Sequence, residues 1–287
     1  MKNRNLHVSK ITRPVASQAF LRKRLFKLMD SGYKHPVLWI TAPAGSGKTT
    51  LASSFIESRS IPCLWYKADA GDADVATFFY YLGLAAKKIA PGRRQPLPLL
   101  TPEYIPGLPT FTRRYFEDLY SRLKPGSCIV FDNYQEVSEG SALHEVIRNG
   151  LEIIPENITV IFISRKAPPP AFARIRANQS IKLINWNDLQ LTIEEFTNII
   201  KLKLKGKPTL SKEVIAELHH ITKGWAAGLI LLMERIQEGG VSVKYTKAAS
   251  LAQQLSGIKN ANADSGRIMA VLWVVLGYLV SVVWSMR

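Results

Sequence analysis

Residues 42–49 read Ala-Pro-Ala-Gly-Ser-Gly-Lys-Thr, between an apolar run at 37–41 and a helix-patterned stretch at 48–59. The string departs from G-x-x-x-x-G-K-[ST] only in the alanine at its first position. Few short strings restrict a fold as tightly, because this one needs a strand before it and a helix after it. Gly45 and Gly47 permit backbone conformations that a β-carbon forbids, so several N–H groups can point at one anion. The helix that follows adds the positive end of its dipole. Lys48 supplies a point charge for the β- and γ-phosphates of a nucleotide, and Thr49 a hydroxyl for Mg²⁺. The plainer alternative is a glycine-rich turn that happens to precede a helix. With strand and helix both in place, nucleotide binding is the expectation.

The rest of the first two thirds fits that context. Apolar runs at 63–66, 128–131, 158–163 and 180–184 alternate with helical patterns at 75–89, 111–123 and 143–151. Residues 91–110 are rich in proline and read as a loop. Strands that are apolar throughout, separated by helices, predict an α/β fold with a mainly parallel sheet covered on both faces. Beyond residue 190 only helical patterns remain. Thr192 and Glu195 form a Thr-x-x-Glu capping box, a second helix starts at Ser211, and a third follows Gly224.

A nucleotide site of this type needs an acid at the end of another buried strand. Asp132 fits, 84 residues after Lys48, and would share Mg²⁺ with Thr49. A strand-end aspartate that merely caps a turn is the competing reading. Hydrolysis also needs a group to orient the attacking water. The next position is Asn133, whose amide can bind a water but cannot take its proton. Glu136, or one of Asp69, Asp72 and Asp74, could act instead. Arg165 closes the fourth strand, where a guanidinium can read a γ-phosphate or simply meet solvent. Slow or absent turnover follows from Asn133.

Charge is uneven along the chain. The net is +16, with nine basic and one acidic side chain in residues 1–34, and 12 basic and five acidic in 201–287. The simplest reading of both ends is solvated surface. Two cysteines, Cys63 and Cys128, offer no disulfide framework and fit a reducing compartment. His219 and His220 lack a third ligand at metal spacing and read as surface or packing residues. Residues 268–284 carry no charge over 17 positions. That length is at the lower limit of a membrane span; a buried helix, a valine-rich strand pair and a truncation scar are the alternatives. The expected organisation is a basic segment 1–35, a P-loop domain 36–190, a helical subdomain 191–257, and a linker with an apolar tail 258–287.

Taken together, Thr12-Arg13-Pro14, the 41–51 loop, Trp65-Tyr66 with Asp69-x-Gly71-Asp72-x-Asp74, Phe131-Asp132-Asn133-Tyr134, Ile163-Ser164-Arg165, Leu191-Thr192 with Glu195-Phe196, and Gly224-Trp225 resemble the STAND ATPases. More narrowly they are similar to the large ATP-binding LuxR-type transcriptional regulators, over about residues 8–257. The resemblance implies ATP or ADP with Mg²⁺ as ligand. Pro43, Ala44, Gly45, Ser46, Gly47, Lys48, Thr49 and Thr50 would cradle phosphate. Arg13 and Pro14 would lie near the adenine, Asp132 would be the Walker B acid with Asn133 beside it, and Arg165 the sensor. Gly224-Trp225 would belong to a subdomain packed over the nucleotide. Such proteins switch between a closed ADP form and an ATP form that self-assembles.

Two departures accompany the resemblance. Asn133 stands where the family has a second acid. The winged-helix, helical-repeat sensor and DNA-binding parts that follow in the family are not in this sequence, so the chain reads as a severed or rebuilt N-terminal module. It is not expected to bind DNA itself; self-association, or pairing with a full-length relative, is the expected partnership. The leading reading is a cytoplasmic ATP/ADP-binding signal-transduction switch. A catalytic P-loop ATPase is one alternative, and an interaction module, tethered at a membrane through 268–284 or a remnant, is the other.

Overall fold

The computed structural model describes residues 9–16, 19–93, 95–204 and 210–237. The apolar stretch 268–284 lies outside these residues. Among the described residues, no helix is long and apolar enough to cross a membrane. The chain divides between Leu189 and Gln190 into two compact units.

In the first unit, five strands alternate with helices. They are β1 (Val37–Thr41), β2 (Cys63–Lys67), β3 (Cys128–Asp132), β4 (Thr159–Ser164) and β5 (Ile181–Ile184). All neighbours pair in parallel, in the order β2-β3-β4-β1-β5. The principal helices are α1 (Lys23–Gly32), α2 (Lys48–Ser58), α3 (Val75–Ile89), α4 (Leu108–Ser121) and α5 (Leu143–Leu151), followed by the short α6 (Ala173–Ala177) and α7 (Trp186–Leu189).

Alternation along the strands builds two cores. Trp39, Leu64, Tyr66, Ile129, Phe131, Val160 and Phe162 join the inner faces of α3, α4 and α5. Leu38, Ile40, Trp65, Val130, Ile161 and Ile163 meet Leu25, Phe26 and Met29 of α1 and Leu51, Phe55 and Ile56 of α2. This is the expected sheet covered on both faces.

Three differences from the sequence reading have physical causes. Within the basic segment 1–35 lies α1, whose Leu25 and Met29 are fully buried, so this helix belongs to the sheet's core. The proline-rich loop holds a 3₁₀ helix, Pro102–Gly107, and α4 starts earlier than expected, at Leu108. Pro109 sits in its first turn, where a missing N–H costs nothing. The 3₁₀ turn Ser9–Ile11 lies against β2, the outer strand, whose free edge would otherwise invite pairing.

The second unit contains α8 (Ile193–Leu204), α9 (Lys212–Thr222) and α10 (Ala226–Gln237) around Leu191, Phe196, Ile200, Ile215, Leu229 and Met233. The capping box at its start is formed in both directions. Thr192 N–H donates to Glu195 Oε2 at 3.1 Å, and Glu195 N–H to Thr192 Oγ1 at 3.2 Å. Ser211 caps α9. His219 packs edge-on against Phe196, with its Nε2 2.7 Å from the Leu191 carbonyl, in the packing role expected of it.

Candidate functional site

The loop between β1 and α2 turns on two left-handed glycines, Gly45 at φ 70° and Gly47 at φ 85°. Gly47 also stands as the residue before the first helical position of α2. Lys48 opens that helix and its side chain folds back over the loop. Nζ donates to the carbonyls of Ala42 (2.7 Å) and Pro43 (2.9 Å) and to Ser46 Oγ (3.4 Å). Burial first, and the Arg165 guanidinium after it, lower the ammonium pKa to about 8 against the opposing pull of Asp132. Two positive groups therefore act on each other beside this loop, a repulsion that an anion near both would relieve.

Strand order explains how the pieces meet. β4 lies between β1 and β3, so Ser164 and Arg165 emerge between the loop and Asp132. The start of α2 spans that gap. Thr49 Oγ1 donates to Asp132 Oδ1 at 3.0 Å, and the backbone N–H of Asn133 donates to the same oxygen at 2.9 Å. Asp132 Oδ2 accepts no hydrogen bond among the described residues. Burial raises the Asp132 carboxyl above its usual range, while Thr49, the Asn133 N–H, Lys67 and Lys48 pull it down.

The oxygen donors suit a hard cation. Thr49 and Asp132 already meet across one hydrogen bond, and no group of three or more His, Cys, Asp or Glu that could hold a metal occurs among the described residues. A magnesium ion here would be held by those two side chains together with phosphate and water oxygens, not by a protein cage.

The acids considered for orienting water are differently employed. Asp72 is completely buried. It accepts from Tyr66 Oη (2.6 Å), Lys10 Nζ (3.0 Å) and the Asp69 N–H (2.9 Å), and so anchors the N-terminal segment. Asp74 caps α3 through the Ala76 and Thr77 N–H groups, and Asp69 caps the preceding turn. Glu136 is exposed and accepts from Gln135 Nε2 at 3.1 Å. Each of the three aspartates is thus engaged in a cap, an ion pair or a buried hydrogen bond. Asn133 itself adopts a left-handed conformation, φ 59°, which asparagine tolerates better than most residues.

Arg13 and Pro14 lie along α2. Arg13 Nη1 donates to the Ser53 carbonyl at 2.8 Å, and Ser53 Oγ donates to the Pro14 carbonyl. Pro43 and Thr50 are exposed at the loop, and Ala44 is half-buried. One participant escaped the sequence reading. Gln135 Oε1 accepts the Arg165 N–H at 3.0 Å and so ties the segment after β3 to the end of β4. No spacing rule marks such a residue, because the contact depends on which strands are neighbours.

A site of this construction, on this strand order, places the chain in the P-loop NTPase class. It belongs to the family described as Nephrocystin 3, N-terminal, which matches residues 16–165. The chain is also 26% identical over 267 residues to the HTH-type transcriptional regulator MalT of Serratia proteamaculans (strain 568), covering 92% of this chain and 28% of that protein. It is 25% identical to MalT of Klebsiella pneumoniae (strain 342), with the same two shares. The resemblance to the STAND-class LuxR-type regulators thus extends over most of the chain, which spans little more than a quarter of those relatives' length. Among solved structures, the Walker-type ATPase PABY2304 of Pyrococcus abyssi matches with a TM-score of 0.52 at 13% identity, covering 90% of this chain and 76% of that one. That likeness shows the fold.

Proposed function

We propose that this chain is the nucleotide-binding module of a MalT-like regulator, in which ATP or ADP with Mg²⁺ sets a conformation. The carrying observation is the meeting of Lys48, Thr49, Asp132 and the neighbouring Arg165 at one end of the sheet. Loop N–H groups of residues 43–50 would surround the phosphates, and Lys48 would leave the Ala42 and Pro43 carbonyls for them. Arg165 would report the terminal phosphate. Thr49 and Asp132 would hold the magnesium, whose contribution is to neutralise phosphate charge. Arg13 and Pro14, seated on α2, would flank the base. Self-association or pairing with a longer relative would carry the signal onward.

The catalytic alternative needs a carboxylate that can accept a proton from water beside Asp132. Asn133 cannot, the aspartates of 69–74 are engaged in caps and ion pairs, and exposed Glu136 accepts from Gln135. Turnover is therefore slow or absent. Calorimetry of the full chain with ATP and with ADP, in Mg²⁺, tests the proposal. Saturable binding is expected, and Lys48→Ala should weaken it by about ten- to a hundredfold, the worth of hydrogen bonds from a charged donor. A folded protein that binds neither nucleotide would overturn the reading.

A further inference from the structure

Lys67 ends β2, and its register partner on β3 is Asp132. Alternation settles which way the pair faces. Tyr66 and Phe131 belong to the core beneath α3 and α4, while Trp65 and Val130 belong to the core beneath α2. Lys67 and Asp132, one position further along, stand on the α2 side, where Thr49 is bonded to Asp132. Lys67 is exposed, and no salt bridge holds it among the described residues. Its charge acts on the Asp132 carboxylate, as does that of Lys48.

The consequence is an unusual charge balance. Three cationic side chains, Lys48, Arg165 and Lys67, act on a neighbourhood whose strand end carries one carboxylate, Asp132. The next residue, Asn133, is neutral. A divalent ion at Asp132 is attracted by a single negative group and repelled by an ammonium one strand away. A polyphosphate meets the opposite field: its charge is matched by groups already fixed to the protein. A flexible lysine stem from an adjacent strand end can follow phosphate oxygens or remain beside the carboxylate.

We propose that Lys67 supplies, beside Asp132, positive charge that a divalent cation would otherwise bring, so that nucleotide polyphosphate binds this chain with little dependence on Mg²⁺. The proposal rests on the nucleotide-binding reading and deepens it: Lys67 becomes a specificity-determining residue that sets the metal requirement of the site. In a regulator, it would make occupancy follow nucleotide concentration more than magnesium concentration.

The experiment is a titration of the full chain with ATP, once in Mg²⁺ and once in EDTA, for the wild type, Lys67→Ala and Lys67→Arg. Far-ultraviolet circular dichroism confirms that each is folded, which an exposed side chain at a strand end should permit. The wild-type dissociation constants in the two buffers should agree within about threefold, a small difference on the affinity scale. Lys67→Ala should lose about tenfold or more in EDTA, as expected for removal of one charge near phosphate, and recover most of it in Mg²⁺. Lys67→Arg should behave as wild type. Wild-type binding that collapses in EDTA overturns the proposal and leaves the nucleotide-binding reading intact, as does a Lys67→Ala variant unchanged in both buffers. A folded wild type that binds in neither buffer overturns both.

Discussion

His144 fixes the turn that leads away from Asp132. Its Nδ1 lies 2.8 Å from Tyr134 Oη and its Nε2 3.0 Å from the Ser138 carbonyl. A carbonyl can only accept, so Nε2 carries the proton and Nδ1 accepts from the tyrosine. That neutral tautomer satisfies every partner. Burial lowers the imidazole pKa below 6.5, against the Ser138 carbonyl and the charges of Glu145 and Glu139, which raise it. A folded pKa below the unfolded one means that the unfolded chain binds more protons between the two values. The stabilisation is then complete above the unfolded pKa and is lost as pH falls through 6.5 toward the folded value. Urea unfolding should show lower stability near pH 5.5 than near pH 7, in the window where the unfolded imidazole protonates first. His144→Gln should cost about 1 kcal/mol near pH 7, the net worth of a buried hydrogen bond, and flatten the pH dependence. An unchanged slope in the variant would assign the acid sensitivity to other groups. At this scale the sequence speaks where a residue's chemistry is tied to a fixed spacing. Lys48 and Thr49 are legible for that reason, and Asp132 because it ends a short apolar strand. Asp72 is not: its role depends on Lys10, 62 residues away, and on Tyr66, whose ring and hydroxyl reach it only after the chain has folded.

Elements are legible where one periodicity dominates. The limits of α3 and α5 can be read from the sequence to the residue, and the five strands to within one residue at each end, because buried parallel strands are short unbroken apolar runs. The segment containing α1 is obscured by four basic residues at 22–27 that draw attention to charge; its apolar stripe, Leu25, Phe26 and Met29, is nonetheless at helical spacing. Packing between elements is not legible at all, and α4 against α5 shows why. A β-carbon built on Gly150 would lie 2.7 Å from the Phe116 ring. Alanine in place of a helical glycine ordinarily stabilises by about 1 kcal/mol. Here the clash outweighs propensity, because the ring is itself buried and flanked by Tyr115 and Tyr120. Gly150→Ala should therefore destabilise by about 1–3 kcal/mol, as overpacking does. Thermal unfolding of the variant decides the sign, and a raised midpoint would mean that the two helices can part at little cost.

At the scale of the whole molecule, the described residues form three hydrophobic cores. The two that cover the sheet are drawn entirely from residues before 190, and the third entirely from residues between 191 and 233. The sheet's own requirements are met within that first stretch. α1, α2 and the residues around 9–16 belong to it, and Arg22 Nη1 donates to the Leu189 carbonyl at 2.9 Å, closing its far end. A chain of this length buries about 70% of the surface its unfolded form exposes, enough for independent stability. We therefore expect a chain ending at Leu189 to fold by itself. Its urea transition should be single and cooperative, and its near-ultraviolet circular dichroism should retain the signal of Trp39 and Trp65, both almost wholly buried in the sheet. A broad transition with the near-ultraviolet signal lost would show that the sheet takes essential support from residues after 189, and that the division between Leu189 and Gln190 does not mark a folding boundary. Retention of both would make the P-loop unit a separable module, in which the Lys48 and Lys67 variants can be measured without the rest of the chain.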